Sequence, residues 1–319
     1  MLLASIENAL YDDSGMNAID DLLLSFSERS YAIIKLHESE AAMLQSSLST
    51  LGACLQSFYG TSPRYHECAG SNVSAWSRRV FMHYAREGSG SAKVEGTRWP
   101  QLLAEAAAGA AEADPLMVRI GRAVTKALAL RTPELCEPLT MGQFDCFYYP
   151  SNDVSEEERR AQLASGEQED AYDDECPCPS HYDPGVVTVV AETEGGLEAK
   201  LADGTWHRLY LRTDEVCVLA GKTLQTLTSG RLQACMHRVA LTAASRASVV
   251  FEVHTDMAEP SAPANDAGST AGGSIGIAIH RIGSRRHVGR VSQTSAAIMK
   301  TGGDLTRMTK RELLKCTLS

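Results

Sequence analysis

Nowhere in this 319-residue chain do about 18 apolar residues run together, so the sequence offers no span for a bilayer. Its opening, Met1-Leu2-Leu3-Ala4-Ser5-Ile6-Glu7, lacks a basic stretch followed by a long apolar core, and no signal peptide is read there. Positive charge is scarce: 30 Lys and Arg stand against 40 Asp and Glu, a formal net charge of −10. That balance argues against nucleic acid or an anionic membrane as the main partner. The nine cysteines are odd in number and scattered, as in a reduced intracellular protein, and a cytoplasmic location is expected. No internal repeat is evident. The length allows one large core with at most a small appendage.

What is present divides by pattern. Asn17 to Arg29 spaces its apolar residues helically, and Ser30 to Leu36 (SYAIIKL) is β-branched and aromatic, predicting a strand. Glu38 to Tyr59 is helical again, and Gly60 to Gly96 turns to Gly, Ser and Arg, predicting loops and short strands. Gln101 to Ala113 predicts one helix, and Pro115 the start of a second running to about Leu130. Gly142 to Pro150 predicts a strand stopped by proline, and the acidic Ser151 to Ser180 a mobile surface loop. From His181 onward short apolar runs recur between turn signals such as Gly195-Gly196, Asp203-Gly204 and Ser229-Gly230. Strands at that spacing predict a sandwich or barrel, not a βαβ fold. The expected division is a helical and mixed region over 1–140 packing on a β domain over 141–256. A flexible Ala/Ser/Gly/Pro linker over 257–276 and a basic tail over 277–319 follow. That tail carries nine Lys and Arg against Asp304 and Glu312, about +7, leaving about −17 on the rest.

One stretch concentrates chemistry. In an extended strand, side chains two apart share a face, so His181 and Asp183 point the same way. His237 lies 56 positions later, after enough strands for the chain to circle a barrel and return. Two imidazoles and a carboxylate on one side suit a mononuclear non-haem Fe(II), with the opposite positions open. Arg246 and Ser248, at i and i+2 on the next strand, offer a guanidinium fork and a hydroxyl to a buried carboxylate. Other candidates are weaker. Cys176-Pro177-Cys178 lacks the second thiol pair a zinc site needs and reads as loop cysteines. Cys235 falls two before His237 and reads as pocket-lining, while His207 and His254 have no matching motif.

These residues carry a resemblance. HYDPGVVTVV, GGLEAK, GTWHRL, LTSGRLQACMHRV and RASVVFEV resemble the catalytic module of the Fe(II)/2-oxoglutarate-dependent dioxygenases. More narrowly, they resemble the branch holding isopenicillin N synthase and the plant flavonoid, gibberellin and aminocyclopropane-carboxylate oxygenases. The resemblance covers about 141–255, is weaker over 17–140 and absent over 257–319. It implies a mainly β fold, a double-stranded β-helix (jelly roll) flanked by N-terminal helices. It also implies His181, Asp183 and His237 as iron ligands, and Arg246 and Ser248 as the grip on the distal carboxylate of 2-oxoglutarate. Phe147-Tyr148-Tyr149-Pro150 is similar to an Asn-Tyr-Tyr-Pro segment of the family, so Tyr149 is carried over as a hydroxyl donor to the co-substrate. Phe147 replaces the asparagine, and Lys222 stands where relatives carry an acidic residue.

The activity so implied couples oxidative decarboxylation of 2-oxoglutarate to hydroxylation or desaturation of a small organic substrate by O2. Ascorbate is the expected reductant and a monomer the expected state. An alternative is open, because the nine-residue step from His237 to Arg246 resembles the synthase, in which such a pair grips the substrate's own carboxylate and no 2-oxoglutarate is used. A catalytically silent binding protein of the same fold is the third reading, and the complete triad argues against it.

Overall fold

The computed structural model describes residues 1–10, 16–59, 65–68, 71–75, 79–84, 99–132, 134–135, 139–140, 142, 144–151 and 176–255. The chain divides into two units, Met1–Pro260 and Ser261–Ser319, and the second lies outside the described residues. The readings of an acidic loop over 152–175, a linker and a basic tail therefore also fall outside them.

Among the described residues, two antiparallel sheets face each other. The larger runs β1 (Tyr31–Lys35), β11 (Glu215–Ala220), β8 (Val187–Glu192), β13 (Arg246–Thr255), β6 (Phe144–Tyr149), β4 (Val80–Tyr84), β3 (Ser71–Ala75) and β2 (Tyr65–Cys68). A short β5 (Leu139–Thr140) also pairs with β13. The smaller runs β10 (Trp206–Arg208), β9 (Leu197–Lys200), β12 (His237–Val239) and β7 (Cys178–His181). Neighbours in the sheet are far apart in sequence, as β8 beside β13 shows, which is the connectivity of a jelly roll rather than a meander.

Alternation along each strand sorts residues to two faces. On β6 and β13, Phe144, Cys146, Tyr148, Val249, Phe251 and Val253 turn outward into the main core. Helices α3 (Glu38–Gln56) and α4 (Trp99–Ala129) cover that face with Leu44, Leu48, Leu51, Ala110, Met117, Ile120 and Val124. At about 25 cal/mol per Å² of apolar area removed from water, this layer supplies most of the fold's stabilisation. α4 comes close enough that a Cβ at Gly121 would stand 2.8 Å from Val253 and 2.9 Å from Phe251. A glycine is required there. The shorter α1 (Leu3–Ala9) and α2 (Met16–Arg29) bury Leu3, Ile6, Ile19, Leu22 and Phe26 in the same core. α3 begins in a capping box, with Glu40 accepting from the His37 amide at 3.1 Å.

Two expectations need correction. α4 is one helix through Pro115, not two. Proline removes one interior hydrogen bond at a cost of roughly 3 kcal/mol. Continuous burial of Ala106, Ala110, Ala113, Met117 and Ile120 on the sheet outweighs it. β7 begins at Cys178, inside the stretch read as loop, because His181 and Cys178 pair with His237 and Val239. Between Arg231 and Leu241 only His237–Val239 forms a strand. Before it stands a helix that periodicity does not reveal in six residues, α5 (Lys222–Leu227). No described helix is long and apolar enough to cross a membrane.

Candidate metal centre and carboxylate anchor

The inner face of the larger sheet and the smaller sheet enclose the site. His181 ends β7 and His237 begins β12, and the two are direct partners in the antiparallel ladder. Side chains so paired lie close, and the imidazole centroids are 4.3 Å apart at 54°. Asp183 lies past the end of β7, so the strand pleat does not orient it. The loop does: the Lys222 amide donates to the Asp183 carbonyl at 2.8 Å, and the Thr223 amide to Gly185 at 3.0 Å. From the far side, Glu252 Oε1 accepts from the Gly185 amide at 2.6 Å.

The three side chains converge. Asp183 Oδ1 is 3.5 Å from His181 Nε2, and Oδ2 is 3.6 Å from His237 Nε2. The candidate ligand atoms all lie within 4.8 Å of one another. Each imidazole is oriented from behind. His181 Nδ1 lies 2.8 Å from the Pro179 carbonyl, and His237 Nδ1 lies 3.2 Å from that of Cys235. A carbonyl only accepts, so each Nδ1 carries a proton and each Nε2 is the ring atom turned to the centre. Asp183 Oδ2 is buried without a hydrogen-bond partner. An orphaned carboxylate oxygen between two Nε2 atoms fits a cation, and this donor set suits Fe(II).

Charge in the site is tightly balanced. Burial would push the Asp183 carboxyl up, but His237 and His181 hold it well below the usual carboxylate range. Burial likewise opposes protonation of His181, yet Cys178 and Asp183 raise it well above an ordinary histidine. Burial pushes His237 down. Cys178 Sγ sits 3.8 Å from His181 Nδ1. Burial would raise its thiol, but His181 and Arg79 bring it down to about 7. Cys178 is thus a buried strand residue beside the centre, a correction to its reading as a loop cysteine. Cys176, Cys217 and Cys235 are also buried thiols, not disulfides.

The carboxylate anchor lies at the other end of the same interior. Arg246 and Ser248 begin β13, opposite Tyr149 and Phe147 of β6, and are 2% and 4% exposed. The Arg246 guanidinium carbon stands 4.5 Å over the Tyr149 ring. Its Nη1 donates to Glu192 Oε2, whereas Nε and Nη2 are buried with no partner. Two adjacent orphaned donors are the complement of a carboxylate. Tyr149 is therefore placed as the platform beneath the guanidinium, and burial pushes its hydroxyl pKa up.

Sequence reasoning missed two charged residues here. Glu192 ends a run that reads as a β-branched strand. Arg79 lies in the Gly/Ser/Arg stretch, yet its guanidinium stands 5.8 Å over the Phe147 ring, and Phe81 packs on Phe147 at 5.1 Å. Arg79 lies just before β4, two residues from Phe81, and nothing in the sequence pattern marks it. Of the remaining candidates, Cys235 lies in the interior cluster with Leu197 and Cys217. His207 hydrogen-bonds Tyr31 at 2.9 Å, and His254 pairs with Glu252 at 3.4 Å, so neither joins the centre.

A double-stranded β-helix with two histidines and an aspartate on its inner wall defines the class: a jelly-roll fold with a candidate mononuclear metal site. Residues 146–255 match the model of the 2OG-Fe(II) oxygenase superfamily. That segment, about a third of the chain, is what the chain shares with this superfamily. Gibberellin 2-beta-dioxygenase 3 of Arabidopsis thaliana is 33% identical over 85 residues, 26% of this chain and 25% of that protein. The 2-oxoglutarate-dependent dioxygenase AOP2 of the same plant is 33% identical over 96 residues, 28% of this chain and 22% of that protein. The chain thus spans about a quarter of the length of the curated relatives it matches. Among solved structures, a full-length Neurospora crassa protein in complex with alpha-KG and 5-formyluracil superposes with TM-score 0.57 at 13% identity, over 80% of this chain and 84% of that one. The rice dioxygenase for auxin oxidation gives TM-score 0.51 at 17% identity, over 79% and 81%. At those identities the likeness speaks to the fold.

Proposed function

We propose that the protein is a non-haem iron oxygenase that couples oxidative decarboxylation of 2-oxoglutarate to hydroxylation or desaturation of a small organic substrate. The observation that carries this reading is the pair of unsatisfied groups at the two ends of one interior. Asp183 Oδ2 awaits a cation, and Arg246 Nε and Nη2 await an anion. A 2-oxo dicarboxylate is a ligand whose two ends meet both needs.

His181, Asp183 and His237 would hold the iron. When bound with 2-oxoglutarate and oxygen, iron supplies an oxidation strong enough to break an unactivated C–H bond, releasing succinate and carbon dioxide. The chain's own work is positional. The Pro179 and Cys235 carbonyls keep both Nε2 atoms turned inward. Arg246 anchors the distal carboxylate while Tyr149 supports the guanidinium from below. Val190, Leu197, Ala199 and Leu219 wall the interior and exclude water, which strengthens each charge interaction inside it. Phe81 and Phe147, tilted 38° to each other, offer an apolar surface to the substrate. The synthase-like branch is the finer placement we favour, supported by the ordered motifs from His181 to Ser248 and by the plant dioxygenase relatives.

The test supplies Fe(II), oxygen and labelled 2-oxoglutarate to the full chain, with a panel of candidate metabolites. Labelled succinate formation, abolished in His237→Ala, is expected. Iron bound at the triad with no succinate from any mixture would overturn the co-substrate assignment.

A further inference from the structure

Glu192 ends β8 on the inner face, opposite Ser248, and is 5% exposed. Its Oε2 accepts from Arg246 Nη1, while its Oε1 is buried with no hydrogen-bond partner. Around it stand Arg246 on β13, Tyr149 on β6, Arg208 on β10, Cys217 on β11 and the Leu197 amide on β9. Gly196 closes the remaining side, where a Cβ would fall 2.6 Å from the Arg246 guanidinium carbon. The guanidinium is therefore fixed between Glu192, the Tyr149 ring and Gly196, with one donor edge left over. A dicarboxylate seated on that edge brings a second carboxylate to Arg246, the buried one of the two guanidinium groups beside Glu192. Two carboxylates sharing such a site do not both stay ionised, because neither burial nor mutual repulsion tolerates the extra charge. The resident one, with an oxygen already unsatisfied, is the one that gives way.

We infer that Glu192 is a positioning residue of the carboxylate anchor, which holds Arg246 edge-on to the co-substrate and takes up one proton when 2-oxoglutarate binds. This rests on the reading of Arg246 as the co-substrate anchor. Burial already pushes the Glu192 carboxyl above its ordinary range, against the opposing pull of Arg246. Proton uptake gives the affinity a definite pH dependence. Below the pKa of Glu192 in the co-substrate-free protein, binding is insensitive to pH. Between it and the higher pKa of Glu192 in the complex, affinity falls toward about tenfold per pH unit, the slope for one linked proton.

The experiment is calorimetric titration of 2-oxoglutarate into the Mn(II)-loaded full chain, free of oxygen, in buffers of different ionisation heat and across a pH series. The wild-type protein is expected to take up close to one proton in the pH window where affinity falls most steeply. Glu192→Gln is expected to take up none, with a flat pH profile and equal or tighter binding. Glu192→Asp keeps the uptake but binds more weakly, because the shorter side chain lets Arg246 turn. Wild-type binding with no proton uptake, or unchanged uptake in Glu192→Gln, overturns the inference while leaving the co-substrate in place. Should Glu192→Gln not fold, the wild-type proton count decides alone. No binding of 2-oxoglutarate by the wild-type protein overturns the anchor and this inference together.

Discussion

Along β13, Ala247, Val249, Phe251 and Val253 turn away from the smaller sheet, and Arg246, Ser248 and Val250 turn toward it. One strand thus serves two surfaces. The outer one is apolar, and the helices cover it with no buried polar atom of β13 left unmatched. The inner one buries a guanidinium, a carboxylate and an imidazole-aspartate cluster, several of whose polar atoms have no partner. Each such atom costs about 1–3 kcal/mol. The outer face makes the fold stable enough to carry that cost, and on the proposed function the inner face recovers it when a cation and an anion arrive.

The sharpest way to break this comparison is to delete one large group from each face. His237→Ala is expected to abolish metal binding outright, measured as metal stoichiometry after equilibrium dialysis. Its metal-free stability should shift by only about 1–2 kcal/mol, the scale of one lost buried hydrogen bond. Phe251→Ala, fully buried on the outer face, should cost about 3–5 kcal/mol in denaturant unfolding and leave the metal stoichiometry at wild type. If the histidine variant lost more stability than the phenylalanine variant, the two faces would not divide the work as described.

A second pair of variants sharpens the same contrast. Arg246→Met leaves Glu192 buried beside an apolar chain, and breaking a buried pair this way costs about 3–5 kcal/mol. Replacing both partners, Arg246→Met with Glu192→Leu, gives the inner face the chemistry of the outer one. That double variant should recover most of the loss while binding no 2-oxoglutarate. Equal stability of the single and double variants, read from urea midpoints, would show that the pair is not coupled.

The contrast also explains what the sequence made legible. The triad and Arg246-x-Ser248 could be read because they are an ordered set of rare residue types at strand spacing. The two sheets could be read because their strands are short, apolar and punctuated by Gly and Asp. Glu192 could not, because a lone acidic residue at a strand end reads as solvated, and only the fold brings β8 beside β13. Lys222 to Leu227 escaped because six residues carry too little helical period. Pro115 misled for a related reason: local chemistry ends a helix there, and the apolar face running from Ala106 to Val124 overrides it.

The gentlest perturbation is pH, followed here at the metal end of the interior. His181 has its folded pKa raised above the unfolded value of about 6.5. Its contribution to the metal-free protein is fully present below that unfolded value and is lost as pH rises through the higher folded one. Asp183, held low, contributes above its unfolded pKa of about 4 and loses that only as pH falls through its folded pKa. From neutral pH upward the Asp183 carboxylate is therefore constant, while the His181 imidazolium and the Cys178 thiol lose their protons. A bound metal takes over its partners, because the proton and the metal compete for the same Nε2. The rise in Tm produced by Mn(II) should accordingly grow as pH increases through the folded pKa of His181. In His237→Ala it should be absent throughout. A metal-induced shift that stayed constant over this range would mean that His181 does not exchange a proton for the metal, and would remove it from the ligand set.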